Sequence, residues 1–150
     1  MNRYYERVGE LGGELSGKLR FDPPAIPTEV DLNNLEKVIG VSLPADYREF
    51  LKEFGGFDIG FEFYGVMPGK QLDLLDWHEL YHRREIMVEE LMPVAVNLGG
   101  NQLCIALSGE NKGAIYFFIL TEATVPASYD NCELVASSFD DLMYSDYLKF

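Results

Sequence analysis

Ala114-Ile115-Tyr116-Phe117-Phe118-Ile119-Leu120 is apolar on both of the faces that a strand presents. Such a run reads as a central strand of a sheet covered on both sides. Just before it, Gln102 to Leu107 alternates Leu103, Ile105 and Leu107 against Cys104 and Ala106, and Ser108-Gly109-Glu110-Asn111-Lys112-Gly113 joins the two runs. Two strands separated by so short a glycine-bearing connection predict a β-hairpin. Around it, Phe57 to Val66 alternates loosely, Leu91 to Asn97 gives a short strand with a bend at Pro93, and Glu133 to Ala136 gives a weaker one. The sheet is therefore expected to be mostly antiparallel.

Helices are expected before, within and after this sheet. Asp31 is placed to cap a helix that puts Leu32, Leu35 and Ile39 on one face and ends at Gly40. Pro44 opens the next, with Tyr47, Phe50, Leu51 and Phe54 on one side, and Gly55-Gly56 follow it. Leu72 to Glu90 is a third candidate. Ser137 or Ser138 caps a last helix, with Asp140 or Asp141 three residues on, turning Phe139, Leu142 and Met143 inward. The sum is an α+β fold in a single domain, a mostly antiparallel twisted sheet with helices before, within and after it. Residues 1–30 read as an N-terminal arm: a short helix from Asn2 to Val8, then a glycine- and proline-rich stretch through Gly12, Gly17, Pro23 and Pro27. The domain proper is expected over 31–150.

The chain of 150 residues carries a formal charge of -13, yet its 47% apolar content is that of an ordinary globular core and argues against disorder. From Gly113 to Leu148 there are acids at Glu122, Asp130, Glu133, Asp140, Asp141 and Asp146 and no base. Such a stretch repels nucleic acid phosphates and steers a basic protein partner. Its plain alternative is solubility. No apolar run approaches a membrane span, and the N-terminus lacks the apolar centre of a signal peptide. With Cys104 and Cys132 as its only cysteines, both expected as free thiols, the cytoplasm is the expected location.

One motif points elsewhere. The chain's two histidines stand in His78-Glu79-Leu80-Tyr81-His82. On a helix, that spacing lets two imidazoles bind one Zn²⁺ while the glutamate activates its water, as in a small zinc hydrolase. Against it, Val88 stands where a third histidine would fall, and Asp76, Arg83, Arg84 and Glu85 flank the motif as on a solvated helix. No metal is therefore expected at His78 and His82, and no cofactor. Neither cysteine has a neighbouring base to make it a nucleophile. Gly99-Gly100-Asn101 precedes a strand instead of a helix, so it reads as a turn requiring positive φ and not as a phosphate loop. Trp77 and Tyr81 form either an aromatic contact patch or, more ordinarily, core.

Four blocks in series resemble the SUKH superfamily: Leu43-Pro44-x-Asp46-Tyr47-x-x-Phe50-Leu51, Gly99-Gly100-Asn101-x-Leu103-Cys104, Gly113-x-Ile115-Tyr116-Phe117, and Ser138-Phe139-x-x-Leu142. The resemblance runs from about Asp31 to Tyr147 and leaves the arm, His78 and His82 outside its pattern. It implies a non-catalytic binding domain: an immunity protein that neutralises a toxin, commonly a nuclease, or a regulatory interaction adaptor as in fungi. The partner so implied is a protein, with no nucleic acid and no membrane. Asp130, Asp140, Asp141, Asp146 and Glu122 are the expected contacts for a basic toxin domain, since charge complementarity speeds encounter.

Overall fold

A computed structural model describes residues 4–12, 26–54, 57–69 and 71–148. Among the described residues, six strands form one antiparallel sheet in which each pairs with its neighbours in sequence, in the order β1-β2-β3-β4-β5-β6. They are β1 (Phe57–Asp58), β2 (Glu62–Phe63), β3 (Leu91–Val96), β4 (Gln102–Ala106), β5 (Ile115–Phe118) and β6 (Cys132–Ala136). Among the described residues the α-helices are α1 (Tyr5–Gly12), α2 (Glu29–Ile39), α3 (Ala45–Glu53), α4 (Leu74–Arg83) and α5 (Phe139–Tyr144). The α+β architecture and the central hairpin are as the sequence implies.

The alternation of β4 sorts the two sides of the sheet. Leu103 and Ile105 join Met92, Val94 and Ile115 under α1, α2, α3 and α5, whereas Cys104 and Ala106 join Leu91 and Phe118 under Tyr81 of α4 and Met87. Every residue of β4 is buried, while Tyr116 and Phe117 of β5 are only half-buried. The fully covered strand is thus β4, with β5 one place from the edge. Strand β3 tolerates Pro93 because the register with β4 shifts between Pro93 and Ala95, a position where a missing N–H does not break the ladder.

Three local expectations are corrected. Phe57 to Val66 is not one strand: Gly60, at φ +103°, reverses the chain so that β1 and β2 pair with each other. Helix α2 starts one turn before Asp31. Thr28 caps it, its Oγ1 accepting from Asp31 N–H at 3.1 Å while the Asp31 carboxylate accepts from Thr28 N–H at 2.9 Å. This reciprocal pair satisfies two helix-end donors that a cap at Asp31 would leave to water. Helix α4 stops at Arg83, because Glu85 at φ +60° turns the chain back beneath its own last turn.

At the other end, the Ser138 hydroxyl caps α5 by accepting from Asp141 N–H at 3.0 Å. The expected Asn2–Val8 helix instead spans Tyr5–Gly12; Asn2, Gly17, Pro23 and Gly55-Gly56 lie outside the described residues. Tyr4 and Val8 are buried in the main core, and Arg7 donates to the carbonyls of Met143 and Ser145 at the end of α5.

Candidate functional site

His78 and His82 lie one turn apart on α4, half-buried, with ring centroids 4.1 Å apart. The two rings do not converge on a shared vacancy. Nδ1 of His82 is 2.7 Å from the carbonyl oxygen of His78, and Nε2 is 3.1 Å from that of Val88. Both ring nitrogens therefore face backbone oxygens, and a metal ligand has to turn a lone pair toward the ion. Glu79 points to solvent, and among the described residues no three histidine, cysteine, aspartate or glutamate side chains gather as a metal site requires.

What His82 does is structural. It ties the end of α4 to Val88, across the reversal that Glu85 begins. His82→Ala is expected to cost about 0.5–1.5 kcal/mol, the net worth of one such bond, because an imidazole with a single N–H donates to only one of the two carbonyls. Amide exchange at 84–88 should accelerate more than elsewhere, and uniform acceleration across the chain would refute the latch.

His78 behaves differently. Burial, helped by the neighbouring His82, pushes its imidazole down to about 4 from 6.5. A histidine with a depressed folded-state pKa takes up its proton more readily when unfolded. Its contribution is full above about pH 6.5 and is lost as pH falls toward 4. Stability should therefore drop with acidification across that window by at most about 1.4 kcal/mol per pH unit. His78→Gln should flatten the slope; urea midpoints with the same pH dependence in both proteins would show that this imidazole is not the source.

The acids expected to meet a partner differ in their local bonds and exposure. Asp140 is half-buried and receives the Tyr4 hydroxyl, while its own N–H bonds the Asp46 carboxylate at 3.0 Å. Asp141 serves the first turn of α5 and receives the Ser137 hydroxyl. Glu122 ends a 3-10 turn (Leu120–Glu122) and is exposed, as are Asp130, Glu133 and Asp146.

A different group of carboxylates was hidden by its dispersal in sequence. A cleft of about 810 Å³ opens between the C-terminal end of α2, the outer face of α4 and residues 89–90, with Leu107 and Ser108 at its far side. Glu79, Glu89 and Glu90 line it, with Val38, Val41 and Leu75 as apolar wall. Past Glu90 and Ser108 it continues into a second depression of about 570 Å³, bounded by Glu110, Asn111, Tyr116 and Tyr129. Tyr129 donates to Glu90 Oε1 at 2.6 Å, and the rings of Tyr116 and Tyr129 are 5.4 Å apart.

The turn before β4 is closed to ligands by its own bonds. The Asn97 side chain accepts from Gly99 N–H and Asn101 N–H, both at 3.0 Å, and Gly100 sits at φ +83°. Its amides are spent, so it is the glycine turn that the sequence implies and not an anion cradle.

With this geometry in hand, similarity becomes informative. The family model described as the SMI1/KNR4 family (SUKH-1) matches residues 26–145. The chain belongs to the SUKH-1 family. Among curated proteins it is similar to the SPbeta prophage-derived uncharacterized protein YokK of Bacillus subtilis (strain 168), 25% identical over 154 residues, covering 81% of this chain and 76% of that protein. The SUKH-1 match takes in all the described helices but α1, and every strand. Domains of this family are generally non-catalytic. Among the described residues, no helix is long and apolar enough to cross a membrane.

Proposed function

We propose that this SUKH-1 domain is an immunity protein that neutralises a cognate bacterial toxin, of the nuclease class, by direct binding in the cytoplasm. The observation that carries the reading is a family of protein binders realised here with a charge of -13 and a cleft lined by carboxylates that have no ion pair. A nuclease domain has to attract phosphate and is basic for that reason, so an acidic binder meets it with complementary potential. Exposed Glu122, Asp130 and Asp146 would add long-range steering without forming the contact itself. The similarity to a prophage-derived protein supports a role in conflict between bacterial lineages.

Co-expression tests this. A cognate toxin domain, sought among the products of neighbouring genes, should arrest growth when expressed alone, and growth should return when the chain is expressed with it. Arrest that persists with the chain abundant and folded would favour the regulatory adaptor, the second role of the fold.

A further inference from the structure

On α2 and α3, Glu29, Glu36 and Glu49 are neutralised locally: Arg48 bonds Glu29 at 2.7 Å and Glu36 at 3.4 Å, and Lys52 bonds Glu29 at 2.8 Å and Glu49 at 3.2 Å. The carboxylates along the groove are not. Among the described residues, Glu79, Glu89, Glu90 and Glu110, which line it, have no ion pair. Arg83 is the one lysine or arginine among the residues lining the two depressions, beside His78 and His82. Carboxylates held side by side without cations repel one another, a cost that a cationic ligand would relieve.

The groove also offers what a guanidinium or an ammonium on a long stem can use. Val38 is 62% exposed, and with Val41, Leu75 and Leu107 it gives an apolar wall for methylene stems. At the far end, Tyr116 and Tyr129 are inclined at 49°, and the Tyr129 hydroxyl bond holds the Glu90 carboxylate against them. A ring face beside a fixed carboxylate suits the planar, always charged guanidinium of arginine, which stacks and bonds at once. The two depressions share Glu90 and Ser108, so they form one continuous path.

We propose that this groove, from Val38 on α2 to Tyr129 before β6, receives an extended basic segment of the protein partner, with an arginine seated between Tyr116, Tyr129 and Glu90. The proposal rests on the reading of the chain as a protein-binding domain and names the surface that does the binding. A second copy of the chain is a poor occupant, because each copy would bring the same uncompensated negative charge. Nucleic acid is a worse one.

The test uses the full chain and a fluorescein-labelled nona-arginine peptide at low salt. Amide resonances of Glu89, Glu90, Ser108, Glu110 and Tyr116 should shift together on titration. Glu79→Lys with Glu110→Lys should weaken the peptide about tenfold or more, and Tyr129→Ala should weaken it several-fold without altering net charge. The control pair Glu122→Lys with Glu133→Lys makes the same change in net charge and should cost under about threefold. Thermal melts establish that each variant is folded.

Equal weakening by both pairs, or shifts spread over the whole acidic surface, would mean that net charge alone attracts the peptide and would overturn the groove. So would concentration-dependent shifts of the same amides without peptide, the mark of a second copy. Co-expression separates this proposal from the one beneath it. A groove variant that still protects cells defeats the groove and leaves the immunity reading standing. A native chain that binds the peptide in the groove but protects against no toxin leaves the groove standing and defeats the immunity reading.

Discussion

Phe50→Ala is expected to lower the unfolding free energy by about 3–5 kcal/mol, the range for emptying a large aromatic site in a core. Phe50 is fully buried on α3, with ring centroids 4.7 Å from Phe139, 5.2 Å from Phe54, 5.5 Å from Tyr4 and 5.8 Å from Phe63. It is where α1, α3, α5 and β2 meet. No single neighbour can swing in to fill the space, because each is held by its own element. The neighbouring Leu51→Ala should cost about 2–5 kcal/mol by the same argument. Urea titration of each purified variant with unchanged m-value is the measurement. A loss under half a kcal/mol for Phe50→Ala would mean that the helix does not anchor the core.

Gln102→Leu is expected to be nearly as damaging, at about 2–4 kcal/mol, for the opposite reason. Gln102 is a fully buried amide in the middle strand. Its Oε1 accepts from the Tyr64 hydroxyl at 2.7 Å, and its Nε2 donates to the Tyr81 hydroxyl at 3.1 Å and the Gly100 carbonyl at 3.3 Å. Leucine fills the volume but leaves buried hydroxyls on two elements without partners, each costing roughly 1–3 kcal/mol. Adding Tyr64→Phe and Tyr81→Phe removes those orphans and should recover part of the loss. No recovery in the triple variant would show that the amide acts through packing and not through its bonds.

These two residues mark what could and could not be read in the chain. Phe50 was legible because helical spacing puts it with Tyr47, Leu51 and Phe54 on one face, and local periodicity survives into the fold. The alternation of β4 was legible for the same reason. Gln102 was not, since its partners lie on β-sheet and helix segments 38 and 21 residues away. The β1–β2 reversal escaped because loose alternation through Phe57, Ile59, Phe61 and Phe63 looks the same whether or not Gly60 turns the chain.

Likewise, the base-free stretch after Gly113 drew the eye as a run. Folding disperses it: Asp140 and Asp141 are spent on Tyr4, Ser137 and the α5 cap. The groove acids, by contrast, come from α4, the segment before β3 and the β4–β5 turn. Only the fold puts Glu79, Glu90 and Glu110 on one path. The histidine pair shows the reverse case, a motif complete in sequence in which the fold turns both ring nitrogens of His82 onto backbone carbonyls.

The central claim is that the chain works by occupying its partner, and titration of toxin activity tests it most directly. A fixed amount of a purified cognate nuclease domain, sought among the products of neighbouring genes, is mixed with increasing chain, and residual cleavage is measured. The account predicts a straight decline to zero at one chain per toxin, with both proteins intact afterward and the complex recovered by gel filtration. Undiminished cleavage at saturating chain would contradict it, and so would inactivation by far less than one chain per toxin, the signature of a catalyst.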